Sequence, residues 1–342
     1  MKIRNLSKIA AICCCGMFLT ACSLPVPFPF SLIFGKRVEV GGEESNSAHT
    51  YTTSGMTIHY TLEDGLAVIQ SAETITEKNN GFILEEYIDG NLIKEIQPCA
   101  FSGANIRAIN LNGSYPIKIG ERAFENCRNL TDVSMSEANA EFGEYAFAGS
   151  GLKAFSAVSS NIILAPHLFD DCHQFERAEF NGGCIDIQNE SFFGCDTLQE
   201  IRFSVCQNIT AQSSAFMLTG TTDSILEFYR SNVYFETAAF SGCNVRNLLV
   251  DDCSGELGEE CFLGCHADEL SLNSNLQIGN RCFGGIGSET IMYITNMVKH
   301  LPDNAFDPDM YPSFAITRGN YIERYLKEHN FPFRYLNDSG LQ

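Results

Sequence analysis

The stretch Ile117-Lys118-Ile119-Gly120-Glu121-Arg122-Ala123-Phe124-Glu125-Asn126-Cys127-Arg128-Asn129-Leu130 is one copy of a unit that recurs along this chain. Its Phe124 has counterparts at Phe101, Phe147, Phe169, Phe192, Phe216, Phe240, Phe262, Phe283 and Phe306, with gaps of 21–24 residues. Ten of the 26 phenylalanines therefore stand in one column. The position before each is small in nine cases, as at Ala123, Ala146, Ser191 and Cys261, with Leu168 the exception. Five residues before each Phe stands Ile96, Ile119, Phe142, Leu164, Ile187, Ala211, Phe235, Leu257, Ile278 or Leu301, all apolar. At 44% apolar content chance gives ten out of ten about three times in 10,000, by the counting that periodicity arguments require.

Outward from the Phe, each unit carries a strand-like pattern, apolar-x-x-apolar-x-apolar. Leu130/Val133/Met135, Leu198/Ile201/Phe203 and Val245/Leu248/Val250 are examples. The period-2 ending suits a strand with one buried face. A unit of about 23 residues cannot bury its own apolar side, so neighbours must stack on one shared core. The stretch Thr219–Arg230 fits the register poorly, which predicts a small insertion there.

The run Ile117–Leu130 resembles the BspA-type leucine-rich repeat, whose unit reads I-x-x-I-G-x-x-A-F-x-x-C-x-x-L-x-x-I. The resemblance extends from about Ile96 to Pro308. Glycine after the apolar position is kept only at Gly120, Gly143, Gly258 and Gly279, and Pro302 replaces it in the last unit. The resemblance implies a repeat solenoid, with a β-strand plus a turn or irregular segment per repeat and a short C-terminal capping helix. It also implies adhesion to host matrix proteins or to other cells.

Before the repeats, Met56 to Gln70 holds two β-rich runs around Asp64-Gly65, and Phe82 to Ile96 two more around Asp89-Gly90. Asp-Gly between apolar runs is a hairpin signal. After the repeats, Tyr321, Ile322, Tyr325 and Leu326 mark one face of a short helix over about Asn320 to His329. Caps of this kind cover the open edges of a strand stack.

The amino terminus reads as an address. Lys2, Arg4 and Lys8 precede the apolar run Ile9 to Phe18, about half the length a membrane span needs. Leu19-Thr20-Ala21-Cys22 resembles the bacterial lipobox, which makes Cys22 the expected lipidation site. Two or more acyl chains give stable anchoring. Alternate prolines in Pro25-Val26-Pro27-Phe28-Pro29 and the polar run Gly41–Ser47 read as a tether. The expected organisation is a signal peptide at 1–21, a lipid-anchored tether at 22–50 and an N-terminal β-hairpin cap at 51–93. A solenoid of about ten repeats at 94–316 and a C-terminal cap at 317–342 complete it.

Lys plus Arg is 22 against 42 Asp plus Glu, a net charge of −20. Without residues 1–21, which hold three bases and no acid, 19 bases face the same 42 acids, and the charge is −23. Such a surface repels phosphate backbones, so nucleic-acid binding is not expected. Of 15 cysteines, Cys13, Cys14 and Cys15 leave with the signal and Cys22 takes lipid, so 11 remain. Cys127, Cys172, Cys195, Cys243 and Cys265 lie three residues after the column Phe, and Cys261 and Cys282 just before it. These read as buried thiols; neighbours one coil apart are near enough to bridge, although the odd total argues against complete pairing. Cys261-x-x-x-Cys265-His266 is explained by the two columns and is not read as a metal site. Seven scattered His, Gly284-Gly285-Ile286-Gly287 and the acidic pairs Asp170-Asp171, Asp251-Asp252 and Glu259-Glu260 offer no nucleophile with a placed base. No enzymatic activity, cofactor, metal or small-molecule substrate is expected.

Binding is expected instead. Polar positions between apolar strand residues, namely Arg107, Asn110, Lys153, Arg177, Glu179, Arg202 and Arg246, would form ladders on one face of the stack. The expected protein is an extracytoplasmic binding or adhesion module of the bacterial cell envelope, lipid-anchored to a membrane. Its partners would be protein or glycan ligands on host or neighbouring cells. The alternative is a structural or assembly component of the envelope.

Overall fold

A computed structural model describes residues 47–53, 55–75, 81–113 and 115–336. The expected signal segment, Cys22 and most of the tether lie outside the described residues.

Among the described residues there are 23 strands and one helix, and the repeating turn carries two strands where its sequence pattern picks out one. The first is the expected strand: in Asp132–Ser136, Val133 and Met135 face in. The second is the apolar-x-apolar run that ends five residues before the Phe; in Asn139–Phe142, Ala140 and Phe142 face in. Only Glu137 and Ala138 separate the two strands. That corner bends at Glu137 (φ 54°) without a glycine, so no turn signal marks it.

Successive turns pair in parallel and in register. Asp132, Ala154, Arg177, Glu200, Ile225 and Asn247 follow one another across the first sheet. Ile117, Ala140, Ile162, Ile185, Ile209 and Val233 do so across the second. Parallel register places like residues about 4.8 Å apart, and the core is a set of columns for that reason. All ten column phenylalanines are buried, none more than 3% exposed, and so are the ten apolar residues five positions before them. Phe192, Phe216 and Phe240 stack with centroids 4.7 and 4.5 Å apart and planes within 9°. Phe180, Phe203 and Phe228 form a second ring column at 4.7 and 5.1 Å. Burying each Phe contributes about 1.5–3 kcal/mol, and ring pairing about 0.5–1.5 kcal/mol more.

The turns bend through left-handed residues at three places. Two positions before the Phe stand Arg122, Tyr145, His167 and Glu190, all with φ between 55° and 59°. Two positions after it stand mostly glycines, such as Gly149 and Gly194, with Asn126 and Asp171. The corner after the first strand holds Glu137, Ser159, Gly182, Val205 and Arg230. Val205, β-branched with φ 56° and 55% exposed, is the least suited of these. The left-handed region costs an L-residue about 1–2 kcal/mol, less for Asn. Val205→Asn is therefore expected to raise stability by about 1 kcal/mol, read as a higher denaturant midpoint with an unchanged slope.

The expected irregularity at Thr219–Arg230 is a single extra residue. Ile225 begins its strand nine residues after Phe216, against eight from Phe192 to Glu200. Thr219 and Ser224 stay buried in the enlarged turn because their hydroxyls donate to Phe192 O (2.6 Å) and to Leu198 O.

At the amino end, Met56–Glu63 and Leu66–Thr74 pair antiparallel through Asp64 (φ 54°) and Gly65 (φ 76°). Two positive φ values in a two-residue loop are the type I′ geometry that Asp-Gly favours. Around Asp89-Gly90 the paired runs are Tyr87–Ile88 and Asn91–Ile96. Phe82–Glu85 instead runs parallel to Ile106–Asn112, and Asn91–Ile96 parallel to Leu66–Thr74 and Pro116–Ile119. Both parallel sheets have thus begun by residue 96.

At the carboxyl end the helix spans Tyr321–Glu328, with Ile322, Tyr325 and Leu326 buried. Asn320 caps it: its Oδ1 accepts from Glu323 N at 2.9 Å. Beyond it Phe333–Tyr335 adds a parallel strand to Ser313–Ile316. The Glu323 carboxylate gathers Lys327 Nζ (2.6 Å), Gly319 N (2.8 Å) and Tyr335 OH (2.8 Å). Those donors, Lys327 foremost, hold its pKa down to about 2. A carboxylate depressed below its unfolded value near ~4.3 stabilises the fold above that value, and the contribution disappears as pH falls toward 2. Acidification from pH 5 to about 2 should loosen this end, and Glu323→Gln should remove that part of the pH dependence. Amide exchange of Gly319 across the titration checks it.

Candidate binding face

The seven residues singled out from the sequence fall in three columns of the first sheet. Asn110, Glu179 and Arg202 occupy one, at the third outward position; Glu179 and Arg202 are register partners. Arg177 belongs to the column of Asp132 and Glu200. Arg107, Lys153 and Arg246 stand one residue earlier, just ahead of Ala108, Ala154 and Asn247. Six of the seven side chains are exposed and Asn110 is half-buried.

Their charges are not all free. Arg202 bridges Glu200 of its own strand (2.6 Å) and Glu227 of the next turn (3.3 Å). Arg246 reaches Asn247 Oδ1 at 3.2 Å and Asp223 at 4.0 Å. Exposed pairs of this kind are worth about 0–1 kcal/mol, so an incoming anionic group can displace the carboxylates at small cost.

Two further surfaces escaped the sequence reading. Outward residues of the second sheet run Lys118, Glu141, Ile163, Asp186, Thr210, Tyr234 and Glu256 in register. There an open recess of about 450 Å³ is lined by Thr210, Ser213, Tyr234, Glu236, Glu256 and Glu259. The left-handed corner before the Phe makes the other surface. The Arg122 guanidinium lies 4.5 Å over the Tyr145 ring, Tyr145 stacks on His167 at 4.9 Å, and His167 Nε2 sits 3.3 Å from Glu190. The signal for both was the repeat itself: residues at one phase of a parallel stack must be neighbours, whatever their chemistry. A small, partly open cavity beside Leu92, Leu111 and Ile117 measures about 20 Å³, room for little more than one water.

The interior shows what the cysteines do. Cys127, Cys172 and Cys195 donate S–H to the carbonyls of Phe101, Phe147 and Phe169, at 3.0, 3.1 and 3.9 Å. Thr219 fills the same slot with the same bond to Phe192. On these four turns the slot holds a small side chain with one donor, whereas Ala104 and Ile286 fill it elsewhere without one. Burial pushes the Cys127 and Cys172 thiols up to about 12, so at neutral pH they are donors and not nucleophiles. A second slot, at the corner between the strands, works likewise: Ser231 and Ser274 Oγ accept from Cys206 N and Cys253 N, and donate to Tyr229 O and Val250 O. Among the described residues no three His, Cys, Asp or Glu side chains are grouped to hold a metal ion. Among them, too, no helix is long and apolar enough to cross a membrane.

Comparison with curated proteins finds no match. Among solved structures the chain is similar to a leucine rich cell surface protein from Faecalibacterium prausnitzii, at 15% identity over 86% of this chain and 99% of that one, with TM-score 0.30. It is also similar to a leucine rich repeat protein of T. pallidum, at 16% identity over 67% and 86%, TM-score 0.28. A leucine-rich repeat protein from Bacteroides ovatus matches at 16% identity over 84% and 100%, TM-score 0.23. Residues 94–222 and 209–325 match the sequence profile of the BspA type leucine rich repeat region. With the parallel coils and the buried Phe column in place, that match covers most of the chain, which belongs to the BspA-type leucine-rich repeat family.

Proposed function

We propose that this chain is a lipid-anchored protein of the bacterial cell surface that binds protein or glycan ligands on host or neighbouring cells through the outward columns of its first sheet. One observation carries the reading: Arg107, Arg177, Glu179, Arg202 and Arg246 are exposed on strands held in continuous register, and Lys153 is exposed directly ahead of one. Such a surface collects many modest contacts over an extended area. Its cations stand out against a net charge of −20, which favours ligands with carboxylate, sulfate or sialic acid groups. Family membership supports a surface-exposed, non-enzymatic role, and Cys22 supplies the attachment.

The test compares the native chain with Arg177→Glu/Arg202→Glu and with Cys22→Ala. Saturable binding to matrix proteins or glycans, weakened by salt and at least fivefold by the charge reversal, is the expected result. Cys22→Ala should move the protein from the membrane fraction to the soluble one. Cross-links confined to proteins of the same envelope, with no saturable external ligand, would contradict the adhesive role and favour a structural one.

A further inference from the structure

In the slot three residues after the column Phe, two adjacent turns depart from the thiol-to-carbonyl bond made by Cys127, Cys172 and Cys195. Cys243 and Cys265 sit in it on adjacent turns, and instead of both donating to backbone carbonyls their sulfurs face each other at 2.7 Å. Both are buried, each about 2% exposed. They directly precede Asn244 and His266, which are register partners in parallel strands. Strand spacing near ~4.8 Å falls within the ~4.4–6.8 Å between Cα atoms that a disulfide spans. Cys172 and Cys195, also on adjacent turns, do not repeat the arrangement: their thiols are spent on Phe147 O and Phe169 O.

We propose that Cys243 and Cys265 are a modification site, oxidised to a disulfide that locks one coil to the next as the chain folds in an oxidising compartment. The oxidant is a disulfide, small or protein-borne, acting by thiol–disulfide exchange. One cysteine thiolate attacks it, forming a mixed disulfide and releasing one thiol. The second cysteine thiolate attacks the mixed disulfide at the protein sulfur and releases the other thiol. The two cysteines lose two electrons and two protons, and the oxidant becomes two thiols. The reaction belongs to the assembling chain, because in the finished core neither sulfur meets solvent. Its mutual contact and burial also raise the Cys243 pKa well above the ordinary value, which slows exchange once the coils have closed. The bond closes a loop of one whole turn, so it should resist the unfolding of that turn.

The full chain is unfolded, refolded with reduced and oxidised glutathione, blocked with N-ethylmaleimide in denaturant and digested for mass spectrometry. A linked peptide pair joining positions 243 and 265 is expected, with an unfolding midpoint about 5 °C or more above that of the reduced chain. Cys243→Ala/Cys265→Ala should fold and lose that redox-dependent shift. The already folded, reduced chain should keep both thiols when oxidised glutathione is added. The same trapping on protein exported into a bacterial periplasm serves if refolding in vitro fails. Quantitative blocking in denaturant of both cysteines in chain that had folded under oxidising conditions, or linkage of either to another partner, overturns the proposal.

Discussion

Phe216→Ala should lower stability by about 3–5 kcal/mol and cut the unfolding midpoint by roughly 10 °C. Phe216 lies between Phe192 and Phe240 at 4.7 and 4.5 Å and meets Phe203 edge-on at 6.4 Å. Neither neighbouring ring can drop into the vacancy, because each is fixed by its own turn. The cost is thus transfer free energy plus an unrelaxed cavity. Repeat arrays couple only through nearest neighbours, so a defect at the centre should also split unfolding, with the two flanks melting separately. Phe101→Ala is the comparison. Phe101 makes a ring contact with Phe124 alone (5.3 Å) among the described residues, and its loss should cost less and leave a single transition. Denaturant titration followed by far-ultraviolet dichroism distinguishes the cases.

Leu326→Asp should undock the carboxyl-terminal helix and convert a monodisperse protein into one that self-associates. Leu326 is fully buried with Ile322 and Tyr325, and an unpaired carboxylate there costs several kcal/mol. Tyr325 OH donates to Pro302 O at 2.9 Å, so the helix also covers backbone of the last repeat. Once it lifts, the Ser313–Ile316 strand loses the support of Phe333–Tyr335, and an exposed parallel edge is a template for another chain. Light scattering against concentration reads the result; Leu326→Met, which keeps the volume, should leave the protein monodisperse.

The repeat was legible because the Phe column and its apolar partner are single-residue signals enforced at every turn. The second strand was less so. Asn139–Phe142 is only four residues long, and the corner that precedes it bends at glutamate, serine, valine or arginine as readily as at glycine. The binding face was half legible. Alternation showed which side chains point out, whereas the phase of Arg107, Lys153 and Arg246 against Arg202 depends on where each strand begins, and a start that varies from four to nine residues after the Phe hides that. Cysteine burial followed from column membership. The hydrogen bond that selects a thiol there did not, because its acceptor is a backbone carbonyl on the previous turn.

The central claim is that coils stack in register and hide one another's apolar side, and distances between spin labels test it most directly. Ser134 and Ser271 share one outward column, six ladder steps apart through Ser156, Glu179, Arg202, Glu227 and Leu249. With the exposed Cys99 and half-buried Cys184 replaced by serine, labels at Ser134 paired in turn with Glu179, Glu227 and Ser271 should give backbone separations near ~10, ~19 and ~29 Å, rising by one strand spacing per turn. Separations that fail to grow with the number of turns would contradict the stack.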